Sequence, residues 1–244
     1  MEREELRNLP PDYAWTREAL TDTFAVIMGG VAFPGRRPGF AVVAGLCHPN
    51  AKSDCEIHVL GEVESPDLGE LLRACRGLGA KYRRAGMLRN EPFRWFGNGK
   101  HVGAQDIIWR LNRESGNQFD RLDIESTVLL DDPTPYLTMF SLLSGFTRPE
   151  QKRLYLHGCT AAHAMNELPP DELAETKLGE YPSVEALAFV VGGLREWLDY
   201  RPTGPVDRNA SPYGNWARFN RGKNSGASAA AADAYEAEWE NHRR

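Results

Sequence analysis

The chain has 244 residues, of which 41% are hydrophobic and 26% charged, enough apolar material for one sizeable core. A formal net charge of −5 removes any global basic signature of a nucleic-acid binder and leaves only a locally basic groove for that role. No apolar run approaches the roughly 20 residues needed to cross a bilayer, and the acidic, polar start MEREELRNLPPDY lacks the basic-then-apolar order of a signal peptide.

In chain order, residues 1–20 read as a polar N-terminal lead-in that ends in a short helix at Thr16–Leu20. Three apolar runs of strand length follow: Phe24–Met28, Phe40–Ala44 and Glu56–Val63. Short polar turns separate them, so they are expected to form an antiparallel meander. Ser65-Pro66-Asp67 is a helix start, and Leu68, Leu71, Leu72, Cys75 and Leu78 keep helical spacing behind it. Phe93–Phe96 reads as a fourth strand ending at Gly97-Asn98-Gly99. A second amphipathic helix is expected over Val102–Asn112, a fifth strand over Leu122–Leu130, a helix over Pro133–Leu143 and an extended piece over Lys152–His157. Pro182 opens a last helix, running to Trp197, that is apolar nearly all round and therefore expected to be buried. Residues 21–200 form the expected domain, and 201–244, rich in Pro, Gly, Asn, Ser and Ala without a core pattern, are expected to be a mostly disordered tail.

A meander followed by crossovers predicts an α/β fold. Its mixed sheet has strands 1–3 antiparallel and strands 4–5 parallel to strand 1, with helices on its faces. A helix directly after the first strand is missing, which excludes a doubly wound dinucleotide fold. Neither Gly29-Gly30 nor Gly97-Asn98-Gly99-Lys100 fits a nucleotide-phosphate fingerprint, so no nucleotide is expected. Zinc is not expected either, because Cys55 and His58 would point to opposite faces of one strand. Cys47, Cys55, Cys75 and Cys159 show no paired spacing and read as reduced thiols of a cytoplasmic protein. Lys81, Arg83, Arg84 and Arg89, with Trp95 and Phe96 nearby, are either a nucleic-acid-facing stretch or a solvated charged loop.

Three segments give the element order a family resemblance. They are Gly30-Val31-Ala32-Phe33-Pro34 leading into Gly39–Gly45, Trp95-Phe96-Gly97-Asn98 followed by Gly103-Ala104-Gln105-Asp106, and Gly179-Glu180-Tyr181-Pro182-Ser183-Val184-Glu185-Ala186-Leu187-Ala188-Phe189. Together, over roughly 22–198, the chain resembles the ribonuclease H-like nuclease domain of phage terminase large subunits. That resemblance implies metal-dependent cleavage of DNA during packaging. Two Mg²⁺ or Mn²⁺ ions would be held by clustered carboxylates, one activating water and the other stabilising the leaving 3′ oxygen. It also implies DNA as a partner, a separate packaging ATPase or portal in place of a fused motor, no membrane, and the host cytoplasm as the location.

Carried over residue by residue, the acidic set is incomplete. Ala32 stands where the family has its strand-one aspartate, and Asn98 stands where it has the acid ending strand four. Glu185 would be the surviving metal ligand, with Asn98 and Glu62 completing a weakened catalytic site and Glu64 a further substitute. Each has a plainer reading: Glu185 as a salt-bridged or solvent-facing acid, and Asn98 as a turn residue between glycines. The competing reading for the whole chain is a catalytically silent ribonuclease H-like module that binds DNA or a packaging partner.

Overall fold

The three apolar runs form the expected meander and extend further than their composition alone marks. The strands are β1 (Phe24–Ala32), β2 (Gly39–Cys47) and β3 (Ile57–Ser65), paired antiparallel in sequence. The computed structural model describes residues 3–10, 13–47, 56–83, 93–114, 121–131, 133–147, 152–167 and 175–198. The tail at 201–244 lies outside the described residues, as do Arg84 and Arg89. The remaining strands are β4 (Arg94–Gly97), β5 (Asp123–Ser126) and β6 (Leu154–Tyr155). They complete a six-stranded sheet of order β5-β4-β1-β2-β3-β6, with β4 parallel to β1, β5 parallel to β4 and β6 parallel to β3. This mixed α/β sheet with flanking helices is consistent with a ribonuclease H-like arrangement.

Among the described residues the α-helices are α1 (Arg3–Arg7), α2 (Arg17–Thr23), α3 (Leu68–Lys81), α4 (Val102–Glu114), α5 (Pro135–Thr147), α6 (Thr160–Glu167) and α7 (Pro182–Leu198). Asp67 caps α3, its carboxylate accepting the Glu70 N–H at 2.7 Å, as the Ser-Pro-Asp start predicts. The lead-in belongs to the fold, because Leu6 of α1 and Leu20 of α2 are buried in the same cluster as Leu71, Leu72 and Trp95. Residues Met1–Arg195 make one compact unit.

The adjacent glycines of β1 show how the two faces of the sheet are filled. Successive residues of a strand point to opposite faces. A Cβ at Gly29 would collide with the Trp95 ring, and one at Gly30 with the Ala186 carbonyl of α7. One face therefore seats Trp95 with α3 and α4, and the other lets the backbone of α7 approach β1 directly. Val184, Leu187, Val190, Val191 and Leu194 of α7 have no exposed surface, as a helix laid across a sheet requires. Burying each such side chain contributes about 1.5–3 kcal/mol.

Three expectations shift. The fifth strand ends at Ser126, not Leu130, because β4 offers only four residues to pair, from Arg94 opposite Asp123 to Gly97 opposite Ser126. Val128–Leu130 then turns into a short 3-10 helix. The helix expected over 133–143 begins at Pro135 and runs to Thr147. Helix α6 has no counterpart in the sequence reading, for a reason given below.

Candidate functional site

The ends of β1 and β4 lie side by side. Val31 pairs with Gly97, so Ala32 and Asn98 stand next to one another at the edge where the resemblance places two metal-binding acids. Neither carries charge. Asn98 acts through its backbone: its carbonyl accepts the His101 N–H at 3.0 Å, which is the turn role. His101 then caps α4, its Nδ1 accepting the Ala104 N–H at 3.1 Å, and its ring packs on Phe33 with centroids 5.1 Å apart. The loops leaving β1 and β4 therefore touch through Phe33 and His101. They carry Arg36, Arg37 and Lys100, all exposed.

Glu185 sits in the first turn of α7 and is 5% exposed. It is neither solvent-facing nor salt-bridged, which corrects both plain readings. Its Oε1 accepts the Tyr136 hydroxyl of α5 and the Gly179 N–H at 2.6 Å, while the Tyr136 oxygen accepts the Tyr181 N–H at 2.7 Å. No cation pairs with it among the described residues, and its described partners lie on α5 and the segment before α7, none on β1 or β4. Burial pushes its pKa up, opposed by the hydrogen bonds from Tyr136 and Gly179. Burial also pushes the Tyr136 phenol up, reinforced by the Glu185 charge, so the phenol stays a donor.

Glu62 is employed elsewhere. Both of its oxygens accept the Thr160 N–H, at 2.9 and 3.0 Å, and Oε1 also accepts the Thr160 hydroxyl at 2.7 Å. It thus caps α6 from a strand 98 residues away in the chain. Helix α6 is short and carries no cap of its own in the sequence, so that long-range contact is what anchors its start. The predicted trio of Glu185, Asn98 and Glu62 thus has separate hydrogen-bond partners: Tyr136 with Gly179, His101 and Thr160. Among the described residues no group of three His, Cys, Asp or Glu side chains could hold a metal ion, so they do not fit the Mg²⁺ or Mn²⁺ pair that the resemblance implies.

The expected nucleic-acid contacts also change. Trp95 is 1% exposed, under Gly29 and 5.5 Å from the Phe93 ring, so it is a core residue with no face for a base. Arg83 is partly buried and borders, with Arg76 and Arg121, a recess of about 10 Å³ above Phe93 and Trp95.

A second buried polar cluster lies at the β3–β6 edge. Glu56 is 4% exposed, and its Oε1 accepts from the Arg7 guanidinium. His58 is fully buried, with Nδ1 2.9 Å from His157 Nε2 and Nε2 3.4 Å from Glu56 Oε2. Tyr155 stacks on the His58 ring at 4.7 Å. Burial pushes His58 down to about 4, aided by His157 and opposed by Glu56. At neutral pH the Glu56 contact is therefore a weak hydrogen bond, and Arg7 supplies the balancing charge. Cys55 lies outside the described residues, and His58 is committed to Glu56 and His157.

Among the described residues no helix is long and apolar enough to cross a membrane. Comparison with protein-family models, with curated proteins and with solved structures returns no match.

Proposed function

We propose that this chain is a catalytically silent ribonuclease H-like module of the terminase-nuclease type, which binds DNA in the host cytoplasm alongside a separate packaging ATPase. One observation carries the reading. The two strand ends that would share a metal meet as Ala32 and Asn98, while the neighbouring acids Glu185 and Glu62 are committed to Tyr136 with Gly179 and to Thr160. Two Mg²⁺ ions cannot be held against their hydration by one carboxylate. Where such an edge would be acidic, the loops joined through Phe33 and His101 carry Arg37 and Lys100, which suit a phosphodiester backbone without metal, beside Arg36 paired with Glu180.

A second reading, Mg²⁺- or Mn²⁺-dependent cleavage, is favoured by one feature: Glu185 is a buried acid with no paired cation among the described residues, the environment of a metal-linked carboxylate. A plasmid-nicking assay over a range of Mn²⁺ concentrations, run beside a gel-retardation assay, separates the two. Retardation that weakens with salt and in Lys100→Ala, with no nicking at any metal concentration, supports the silent module. Nicking that disappears in Glu185→Ala refutes it and establishes the nuclease.

A further inference from the structure

The β1–β2 turn, the end of β3, one side of α6 and the start of α7 line a cavity of about 190 Å³ that is open to solvent on one side. That is room for about six waters at roughly 30 Å³ each, or for one amino-acid-sized molecule. It shares Arg37 with the loops at the Ala32–Asn98 edge and Tyr181 with the Glu185 cluster, and has no lining residue in common with the Glu56–His58 cluster. Phe40, Tyr181 and Ala164 give it apolar lining.

Its polar lining holds a buried hydroxyl and exposed charges. Ser183 is 9% exposed, and its hydroxyl has no hydrogen-bond partner among the described residues. Its N–H belongs to the first turn of the 17-residue helix α7, whose N–H groups no helix carbonyl reaches. A buried donor left without a protein acceptor is rare and is met by water or by a bound polar atom. Arg37, in the same lining, is in no ion pair among the described residues, so an anion has three donors there: guanidinium, hydroxyl and backbone N–H. Glu64 and Glu167 are likewise unpaired, whereas Glu180 is held by Arg36 at 3.2 Å. One positive and two negative exposed side chains thus line the cavity without an ion-pair partner among the described residues. The complementary ligand carries a carboxylate, two cationic nitrogens and an apolar stem between them.

We propose that this cavity binds a free basic α-amino acid of lysine size. Its carboxylate lies at Ser183 and Arg37, its two ammonium groups at Glu64 and Glu167, and its methylenes against Phe40 and Tyr181.

Titration of the full chain with L-lysine, read by calorimetry and by NMR shifts, is expected to saturate in the millimolar range or below. L-norleucine, which lacks the side-chain amine, and 1,5-diaminopentane, which lacks the carboxylate, are each expected to bind at least about tenfold more weakly. Glu167→Gln, on the exposed side of α6, is expected to weaken lysine by about tenfold and leave norleucine unchanged. Ser183→Ala is expected to weaken lysine and norleucine together and spare the diamine, and Arg37→Gln gives the same readout if that variant does not fold. Absence of saturable lysine binding overturns the proposal. So does binding of acetate as tight as that of lysine, or a Glu167→Gln chain that binds lysine like the parent. DNA retardation is measured independently, so failure here leaves the DNA-binding reading to its own test.

Discussion

The molecule buries two carboxylates in two ways. At the β3–β6 edge, Glu56 is matched by the Arg7 guanidinium and flanked by His58 and His157, with Tyr155 stacked over the imidazole. At the start of α7, Glu185 is equally buried, yet its described partners are a phenol and a backbone N–H. The first is a charge matched by charge, joining α1 to the β3 edge, and its removal leaves other ionisable groups stranded. The second is a charge held by dipoles alone, which favours the protonated form. A carboxylate near a sheet edge is therefore not a metal ligand by virtue of position. What its oxygens already bind decides what it can do.

That contrast can be broken in order of expected effect. Glu56→Ala removes the acid between Arg7 and His58 and is expected to cost about 3 kcal/mol, near the low end for a broken buried pair because Arg7 is 44% exposed and partly rehydrates. Urea unfolding measures it, and a loss below about 0.5 kcal/mol would reduce the cluster to a surface pair.

Acid comes next, and it acts on the two clusters with opposite sign. His58 is lowered from 6.5 to about 4 in the folded chain, so the unfolded chain binds more protons between these values. Stability from this group is then full above pH 6.5 and falls as pH drops toward 4, by roughly 3 kcal/mol in all. Glu185 is raised above its ordinary 4.5 by burial, so its contribution is full below that value and weakens as pH rises through its raised pKa. Thermal midpoints measured from pH 7 to pH 4 should drop, and His58→Gln should flatten the drop. An unchanged slope in that variant would reject His58 as the titrating group.

Tyr136→Phe removes a donor to buried Glu185, leaving it the Gly179 N–H, and at once removes the acceptor of the part-buried Tyr181 N–H. A loss of about 2 kcal/mol is expected in urea unfolding. Glu185→Gln is expected to have the smallest effect, a gain of about 1 kcal/mol at neutral pH, because a neutral amide can still accept from Tyr136 and Gly179 without a buried charge. A loss instead would show that the carboxylate is charged and compensated by something outside the described residues.

Much of this was legible beforehand, for local reasons. The meander, the Asp67 cap and the buried character of α7 follow from period, turn chemistry and apolar content. The candidate site was legible only as a set of positions. Ala32 and Asn98 do meet, because the parallel register of β1 and β4 brings strand ends together. Glu62 and Trp95 were misassigned because their roles depend on partners 98 and 66 residues away, Thr160 and Gly29. His101 and Tyr136 had no local signal at all, since a histidine cap and a buried phenol acquire meaning only from Phe33, Ala104 and Glu185.

By itself, then, the amino-acid order determined most of the elements, the antiparallel meander with its parallel partners, and the absence of charge at Ala32 and Asn98. These depend on neighbours a few residues apart and on which side chains exist. Tertiary structure alone decided which polar groups are matched: Glu56 with Arg7, Glu62 with the start of α6, Glu185 with Tyr136. Burial and pairing are set by chain segments distant in sequence, and in a low-dielectric interior the partner determines what a charge can do.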